Sequence, residues 1–414
     1  MAQAKPKNIA IVGGSLGGLL TGVALKHLLK NLNIRILERN PMPLLHDQGA
    51  GVVAGHEVQE FFKWHDRTHT PLTVPSHQRI YLNKSGDVIS REDKQQHMTS
   101  WDLLYHILRA NFDRVHSEYV KDSIPEETEG SSVYDYDRQV TDIDFTETDA
   151  LSVKAKTSHG DTTSFSADLV IAADGPSSTI RRFVDSDVQR KYAGYVAWRG
   201  TVPEALVSQS AHDVFVEKFP FFHTEGVQIL AYTIPGANGT IEPGQRLLNW
   251  VWYCNYAEES PEHVELMTDK DGKRHHVTLP PGGIRDSVWE RQKERAKQVL
   301  PPQFAELVER TEVPFVQAIT DVLSPRAVLP RDSRVVLVGD ALAEFRPHTA
   351  ASTNQAALDA MELAQAVEKI LGGADRGVVM KEWEERVLEY ARTMQKHGVD
   401  MGNRSQFGKH PLQG

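Results

Sequence analysis

The apolar residues of this chain form short uninterrupted runs, and each run leads into a turn. Three of these runs occupy residues 9–12, 169–173 and 334–338. Such runs are typical of parallel strands that are buried on both faces. Helical spacing of apolar residues follows the first run at residues 19–29 and the third at residues 356–370. A further strand, whose apolar residues are interrupted by Arg35, is predicted at residues 34–38. The pattern predicts an α/β domain of the Rossmann-like type with a parallel sheet.

Other segments alternate between apolar and polar residues, as strands with one exposed face do. They are residues 78–82, 151–155 and 248–253. The stretch from about residue 189 to residue 323 is rich in aromatic residues and is interrupted by Pro-Gly pairs. We therefore expect a mostly antiparallel β-sheet domain inserted into the nucleotide-binding fold.

The same patterns predict the limits of three parts of the chain. The nucleotide-binding domain is predicted to be discontinuous and to comprise residues 1–72, 97–188 and 326–372. The sheet domain takes residues 73–96 and 189–325, and a C-terminal helix and tail take residues 373–414. Within that tail, residues 383–397 have the pattern of an exposed amphipathic helix, and the last residues have the composition of a disordered end.

Composition narrows the class of protein. The 414 residues carry 46 Lys and Arg against 56 Asp and Glu, a net charge of −10 without a basic block, which argues against nucleic acid as a partner. The single cysteine, Cys254, excludes an internal disulfide and favours a reducing, cytoplasmic location. Residues 9–25 resemble a signal peptide in lacking charge, but they hold five glycines and are too short to span a bilayer as a helix. We expect no membrane association.

The first run ends at a glycine-rich turn, Gly13-Gly14-Ser15-Leu16-Gly17-Gly18. A Gly-x-Gly-x-x-Gly turn between a strand and a helix binds the pyrophosphate of a dinucleotide. Ser15 occupies the second fingerprint position and reduces the clearance of the backbone there. Glu38 ends the next strand 38 − 18 = 20 residues later, where an acid binds ribose hydroxyls. Strand, turn, helix, strand and acid together predict an FAD-binding turn.

Two more motifs follow the later buried strands. They are Asp174-Gly175-Pro176-Ser177-Ser178, and Gly339-Asp340-Ala341-Leu342 with Arg346-Pro347-His348 and Ala350-Ala351-Ser352 beyond. Both acids are predicted at the carboxyl ends of parallel strands, where ligands bind. A carboxylate repels a pyrophosphate, so we expect Asp340 to accept hydrogen bonds from ribityl or ribose hydroxyls. Either motif alone is more often an ordinary strand-to-helix turn.

In this order the three motifs resemble those of the single-component FAD-dependent aromatic hydroxylases, the para-hydroxybenzoate hydroxylase class of group A flavoprotein monooxygenases. Four further segments resemble the subgroup that contains 2,6-dihydroxypyridine 3-hydroxylase, in which a serine at the position of Ser15 also occurs. They are Thr99-Ser100-Trp101-Asp102, Gly194-Tyr195-Val196-Ala197-Trp198-Arg199-Gly200, Leu248-Asn249-Trp250-Val251-Trp252-Tyr253 and Pro314-Phe315-Val316-Gln317-Ala318-Ile319.

The resemblance implies a set of FAD contacts. These are Gly13, Ser15, Leu16, Gly17, Glu38, Arg39, Gly51, Val52, Ser100, Asp174, Gly339, Asp340, Ala350, Ala351 and Ser352. At two places the sequence departs from the family pattern, and both departures affect individual contacts to FAD. Trp101 stands where many members have an arginine, so a phosphate contact must come from elsewhere. Ala350-Ala351-Ser352 replaces the Gly-Gln-Gly of the flavin loop and makes that loop stiffer.

The resemblance also implies the reaction. NADH or NADPH reduces FAD, the reduced flavin captures O2 as a flavin C4a-hydroperoxide, and the distal oxygen attacks an electron-rich phenol or hydroxypyridine ring. His348 is the candidate base, with Arg346 and Tyr195 as further candidate catalytic residues. Trp198, Tyr253, Pro347 and His348 are expected to line the substrate pocket. A homodimer is possible.

Alternatives stay open at this point. An FAD-dependent oxidase or dehydrogenase would share the motifs, as would an epoxidase or Baeyer–Villiger-type monooxygenase of a secondary metabolite. A non-catalytic FAD-binding sensor is disfavoured because Gly339-Asp340 and Asp174-Gly175 are both intact, and a sensor would not need to react with a nicotinamide coenzyme. The pair His275-His276 lacks metal-ligand spacing, so we expect no metal.

Overall fold

The structure, a computed structural model, describes residues 7–45, 51–121, 130–146, 150–330 and 332–408. The end of the chain that the sequence predicts to be disordered lies outside these residues. Within them, no helix combines the length and apolar character needed to cross a membrane.

The helices belong to two groups, those around the parallel sheet and those on one face of the large antiparallel sheet. In chain order they are α1 (Leu16–Leu28), α2 (His56–His65), α3 (Trp101–Asp113), α4 (Arg181–Val184), α5 (Gln209–Phe215), α6 (Pro261–Leu266), α7 (Asp286–Val299), α8 (Pro302–Arg310), α9 (Ser352–Leu371) and α10 (Arg376–Phe407).

The strands form a parallel sheet, a large mixed sheet and a small antiparallel sheet. In chain order they are β1 (Lys7–Val12), β2 (Leu32–Leu37), β3 (Gly51–Val53), β4 (Val74–Leu82), β5 (Val88–Ser100), β6 (Ser131–Asp135), β7 (Gln139–Asp144), β8 (Leu151–Lys156), β9 (Thr162–Ala167), β10 (Leu169–Ala172), β11 (Lys191–Pro203), β12 (Lys218–Thr224), β13 (Val227–Ile234), β14 (Leu247–Asn255), β15 (Thr278–Leu279), β16 (Phe315–Leu323), β17 (Val335–Leu337) and β18 (Ala343–Glu344).

The uninterrupted apolar runs become the centre of the parallel sheet. Its strand order is β17-β10-β1-β2-β6, with Ile11 opposite Ile171 and Ile36. These side chains are fully buried, and α1 packs against β1 and β2. The turns after β1, β10 and β17 therefore lie next to each other at one edge.

The alternating and aromatic segments form the large sheet, whose order is β15-β16-β11-β14-β13-β12-β4-β5-β3, with β18 paired to β16. All its pairs are antiparallel except β12 with β4. The predicted α/β fold with an inserted, mostly antiparallel sheet is confirmed.

The two faces of this sheet have different partners. Trp198, Trp250 and Trp252 pack in one core with Phe304 of α8. Tyr195 and its neighbours form a separate cluster on the other face. Alternation along β11 explains the division, since successive side chains of a strand point to opposite faces. The helices α5, α7 and α8 were not predicted.

The C-terminal helix α10 is longer and more buried than its sequence pattern suggests. Trp383 is fully buried and donates to Asp359 O at 3.4 Å, and Val387 joins the same core. The prediction of an exposed helix over residues 383–397 is therefore wrong in its exposure. Apolar side chains on one face of α10 pack against α9, which the sequence pattern alone could not assign.

Candidate active site

The three motifs converge at the carboxyl edge of the parallel sheet. Gly13 has a φ of +101°, and a Cβ there would lie 2.3 Å from Ala173 O at the end of β10. A Cβ on Gly339 would lie 3.9 Å from the Gly17 Cα. Glycine at position 13 thus lets the turn lie directly against the neighbouring strand. We call this edge, which carries the turns after β1, β10 and β17, the groove.

Glu38 secures the glycine turn from the next strand. Its carboxylate accepts from Gly14 N and from Asn40 N, both at 2.8 Å. Tyr134 donates to Gly14 O at 3.0 Å from the other side. Ser15 precedes α1 and makes no side-chain capping bond, so the first N–H groups of α1 are left for a ligand at this end.

Asp174 and Asp340 are the acids at the other two strand ends. Asp174 accepts from Thr179 N at 2.7 Å through one oxygen, while its buried Oδ1 has no partner among the described residues. Burial raises the pKa of Asp174. Burial and the nearby Glu344 carboxylate raise the pKa of Asp340 to about 7. Both acids are suited to accept hydrogen bonds from hydroxyl groups in the groove.

Asp359 in α9 supports this edge and belongs to none of the three sequence motifs. It is fully buried and accepts from Gly339 N at 2.8 Å. Burial raises its pKa to about 8. An acid among the apolar residues of a helical pattern was the available signal. We interpret Asp359 as the residue that fixes the turn carrying Asp340.

The groove fits a dinucleotide such as FAD. It offers a turn with no room for a side chain at Gly13, the start of a helix, and two acids, of which Asp174 has a buried oxygen without a partner among the described residues. Gly51 and Val52 lie in β3 of the antiparallel sheet, where a Cβ on Gly51 would meet Tyr232 at 2.4 Å. Ser100 caps α3 by accepting from Leu103 N, whereas Arg39 is exposed.

The departures from the expected FAD pattern have local explanations. Trp101 stacks on Tyr105, with ring centroids 4.9 Å apart, and supplies no charge. Ala350 ends the turn before Ala351 and Ser352 with a φ of 52°, the left-handed region that favours glycine. The loop is therefore built for a glycine-like backbone although it carries an alanine.

His348 lies at the centre of a second group of residues, where the loop before α9 meets the antiparallel sheet. Its Nε2 is 2.9 Å from the Tyr195 hydroxyl, and its ring centroid is 4.4 Å from that of Tyr253. Tyr195 and Tyr253 are both buried. Pro347 begins the short turn that carries the histidine. The structure thus joins four of the predicted site residues: His348, Tyr195, Tyr253 and Pro347.

His348 is a neutral imidazole with one free nitrogen. Burial lowers its pKa to about 3, and the Arg346 charge acts in the same direction. Its Nδ1 is buried and has no hydrogen-bond partner among the described residues. Burial raises the pKa of Tyr195, so this hydroxyl stays protonated. The pair presents one nitrogen that can either donate or accept.

Arg346 is held in place and its charge is compensated. It donates through Nε to Asp321 at 2.7 Å and through Nη1 to Asn403 at 2.8 Å. Its guanidinium carbon lies 5.9 Å from the centre of the Tyr195 ring. Arg346 therefore adds positive potential beside Tyr195 and His348 while remaining ion-paired.

Trp198 does not join this group. It lies in the core on the other face of β11 and stacks on Trp289, with centroids 5.7 Å apart. Tyr195 and Trp198 are three positions apart, so a regular strand points them to opposite faces. The prediction that Trp198 lines the pocket is corrected accordingly.

The end of α10 also reaches this group, which the sequence did not predict. A Cβ on Gly402 would lie 2.5 Å from the Tyr195 hydroxyl and 3.1 Å from the His348 ring. The spacing of Gly398 and Gly402, one helical turn apart, was the only signal for a close approach by this helix.

Comparison with known proteins gives consistent relatives. A family model described as FAD binding domain-like matches residues 192–321. The 2,6-dihydroxypyridine 3-monooxygenase of Paenarthrobacter nicotinovorans is 29% identical over 97% of this chain and 92% of its own. The 6-hydroxynicotinate 3-monooxygenase of Bordetella bronchiseptica is 24% identical over 96% of this chain and 92% of its own.

Among solved structures, 2,6-dihydroxypyridine-3-hydroxylase from Arthrobacter nicotinovorans superposes with a TM-score of 0.81 and is 27% identical, covering 98% of this chain and 94% of that one. These proteins bear out the resemblance drawn from the motifs. They support the monooxygenase interpretation and not the oxidase or dehydrogenase alternative.

Proposed function

We propose that this chain, which resembles FAD-dependent aromatic hydroxylases in sequence and in fold, uses NADH or NADPH and O2 to hydroxylate a hydroxypyridine-like ring. The aromatic class and FAD follow from the relatives, whereas the ring type and the coenzyme are part of the proposal. A phenol is the second ring type that the same chemistry would accept.

FAD, when bound, takes hydride from the nicotinamide coenzyme and activates O2 for transfer to the ring. The residues that would hold it are those of the groove: the turn at Gly13, Glu38, Asp174 and Asp340. The protein's own contribution is to bind the ring, exclude water and control one proton on the substrate.

The free Nδ1 of His348 carries the proposal. It is a buried polar atom without a partner among the described residues, set in a wall of aromatic rings. Buried polar atoms are usually hydrogen-bonded, so an unpaired one at a site indicates a ligand group. The ligand must supply a polar group for Nδ1 and an apolar surface for the aromatic wall. A planar ring with an oxygen substituent does both, since its face would pack on Tyr253 and its oxygen would reach His348.

His348 can hydrogen-bond the substrate oxygen in either protonation state without becoming an imidazolium ion, and the proton that the ring oxygen loses leaves to solvent. When its Nε2–H donates to Tyr195, Nδ1 accepts from a neutral substrate hydroxyl. When Tyr195 donates instead, Nδ1–H donates to the ionised oxygen. Arg346 stabilises that negative charge through space. An ionised ring oxygen makes the ring more nucleophilic, which is what hydroxylation requires.

The experiment measures NADH and NADPH oxidation by the FAD-loaded protein with and without 2,6-dihydroxypyridine, 6-hydroxynicotinate and simple phenols. We expect at least one ring to stimulate oxidation and to gain one oxygen from 18O2. Stimulated oxidation with only H2O2 formed, or no stimulation by any of these rings, would contradict the proposal.

Two further predictions from sequence belong to the proposed function. A cytoplasmic location rests on the single cysteine, and a homodimer is proposed without a specific interface. Cell fractionation and light scattering are the corresponding measurements.

A further inference from the structure

The helix α10 connects the two halves of the molecule. Its first turns belong to the core of the parallel sheet, where Val379, Trp383 and Val387 are buried. The C-terminal end of α10 (residues 398–407) leaves that core and contacts the antiparallel sheet and the loop that carries His348. One rigid element therefore spans from the FAD side to the substrate face.

Gly402 is the point of closest approach. It is buried, and a Cβ in its place would lie 2.5 Å from the Tyr195 hydroxyl and 3.1 and 3.2 Å from atoms of the His348 ring. Real Cβ atoms do not come within 3.0 Å of another atom. The hydrogen bond between Tyr195 and His348 therefore exists in this geometry only because position 402 has no side chain.

Neighbouring residues attach the same helix end to the site. Asn403 accepts from Arg346 Nη1 at 2.8 Å. On the next turn, Ser405 donates to Gln228 Oε1 at 2.6 Å, and Gln406 O accepts from Asn255 Nδ2 at 2.8 Å. Ser405 is buried, and so is Gln228. Contacts to two strands and to the Arg346 loop fix the helix end in one position.

We propose that the C-terminal end of α10 forms one wall of the substrate site, with Gly402 and Asn403 as positioning residues for the Tyr195–His348 pair and for Arg346. This rests on the proposed function, because it takes that pair as the substrate's hydrogen-bonding partner. Neither residue touches the reacting atoms. Gly402 acts through the Tyr195–His348 pair, and Asn403 acts through the Arg346 charge.

The first test is Gly402→Ala with Gly377→Ala as the matched control. Gly377 lies in the first turn of the same helix, where a Cβ would meet only Asp375 Oδ1 at 3.3 Å. Alanine favours a helix over glycine, so neither change weakens α10 itself. We expect Gly402→Ala to raise the KM and Kd for 2,6-dihydroxypyridine by about tenfold, the loss of roughly one buried hydrogen bond. Gly377→Ala stays within about twofold of wild type.

A double-mutant cycle isolates the mechanism. Tyr195→Phe removes the hydroxyl that the new Cβ would strike, so in that background Gly402→Ala should change KM by less than about twofold. An equal loss in both backgrounds would show that Gly402 matters only for helix packing and would overturn the positioning role.

A readout independent of turnover separates this inference from the proposed function. The ring 15N signals of His348, assigned with His348→Gln, report whether Nε2 is hydrogen-bonded. They should shift in Gly402→Ala and not in Gly377→Ala. If the wild type hydroxylates none of the rings and Gly402→Ala still shows the 15N shift, only the proposed function is contradicted. If the wild type hydroxylates a ring and Gly402→Ala shows no 15N shift, only the positioning role of Gly402 is contradicted.

Asn403 gives a second variant that does not endanger the fold, since its side chain is exposed. Asn403→Ala removes the acceptor of Arg346 and should raise KM about threefold, whereas Asn403→Asp keeps an acceptor and should restore wild-type KM. An Asn403→Ala protein with unchanged KM would contradict the role of this residue.

Discussion

At the residue scale, Asp340 is the acid on which FAD retention should depend most. Asp340→Ala removes a half-buried acceptor for a ribityl or ribose hydroxyl, a loss of about 1–3 kcal/mol, or roughly 5- to 160-fold in FAD affinity. Asp340→Asn keeps an acceptor and should retain more flavin. The measurement is the ratio of flavin to protein absorbance after dialysis. A fully yellow Asp340→Ala protein would remove Asp340 from the FAD site.

His348 should influence turnover without affecting FAD. His348→Ala is expected to keep its flavin and to slow hydroxylation about 100-fold, most strongly at low pH, where the substrate is still protonated. The pKa of His348 is lowered to about 3, so the wild-type imidazole stays neutral and its profile should have no limb near pH 6.5. The measurement is kcat against pH. A wild-type limb near 6.5, or a variant with the wild-type profile, would contradict this assignment.

At the scale of elements, α9 controls the turn before Asp340 through Asp359. Its pKa is raised to about 8, above the unfolded value of ~3.9, so the native state keeps a proton that the unfolded chain releases. The stability that protonated Asp359 contributes to the native state is complete below about pH 4 and is lost as the pH rises to about 8. Asp359→Asn should therefore gain stability relative to wild type across that window, by at most roughly 1.4 kcal/mol per pH unit.

The matched variant is Asp359→Ala, which leaves Gly339 N without an acceptor and should cost about 1–3 kcal/mol at every pH. Urea unfolding at pH 5 and pH 8 measures both effects. If Asp359→Asn and wild type differ equally at the two pH values, Asp359 does not titrate in this range.

At the scale of the whole molecule, buried histidines should make the fold sensitive to acid. Burial lowers the pKa of His27 to about 3 and that of His65 to about 4, and Arg67 acts in the same direction on both. Because the unfolded state binds protons at these histidines first, the stability that their neutral forms contribute is complete above about pH 6.5 and declines as the pH falls. Both side chains are half-buried, so solvent screening keeps the loss well below the limit of about 1.4 kcal/mol per pH unit for each group. A His27→Gln/His65→Gln variant should lose less stability than wild type between pH 7 and pH 5. Equal losses in urea unfolding would contradict this.

The sequence by itself determined the parallel sheet, the three strand-end motifs and the flavoprotein class. These depend on local signals: an uninterrupted apolar run, a glycine turn and an acid at a fixed spacing. Gly13, Glu38 and Asp340 could be placed because a strand end and a turn are defined by neighbours in the chain.

Only the tertiary structure decided which side chains meet around His348. Trp198 was misplaced because an aromatic segment does not reveal which face of a strand points to the site. Asp359 and Gly402 escaped notice because one supports a turn 20 residues earlier and the other contacts a strand from the far end of the chain. Such contacts arise when helices pack on sheets, and the local sequence signals at these positions do not identify the residues that they contact.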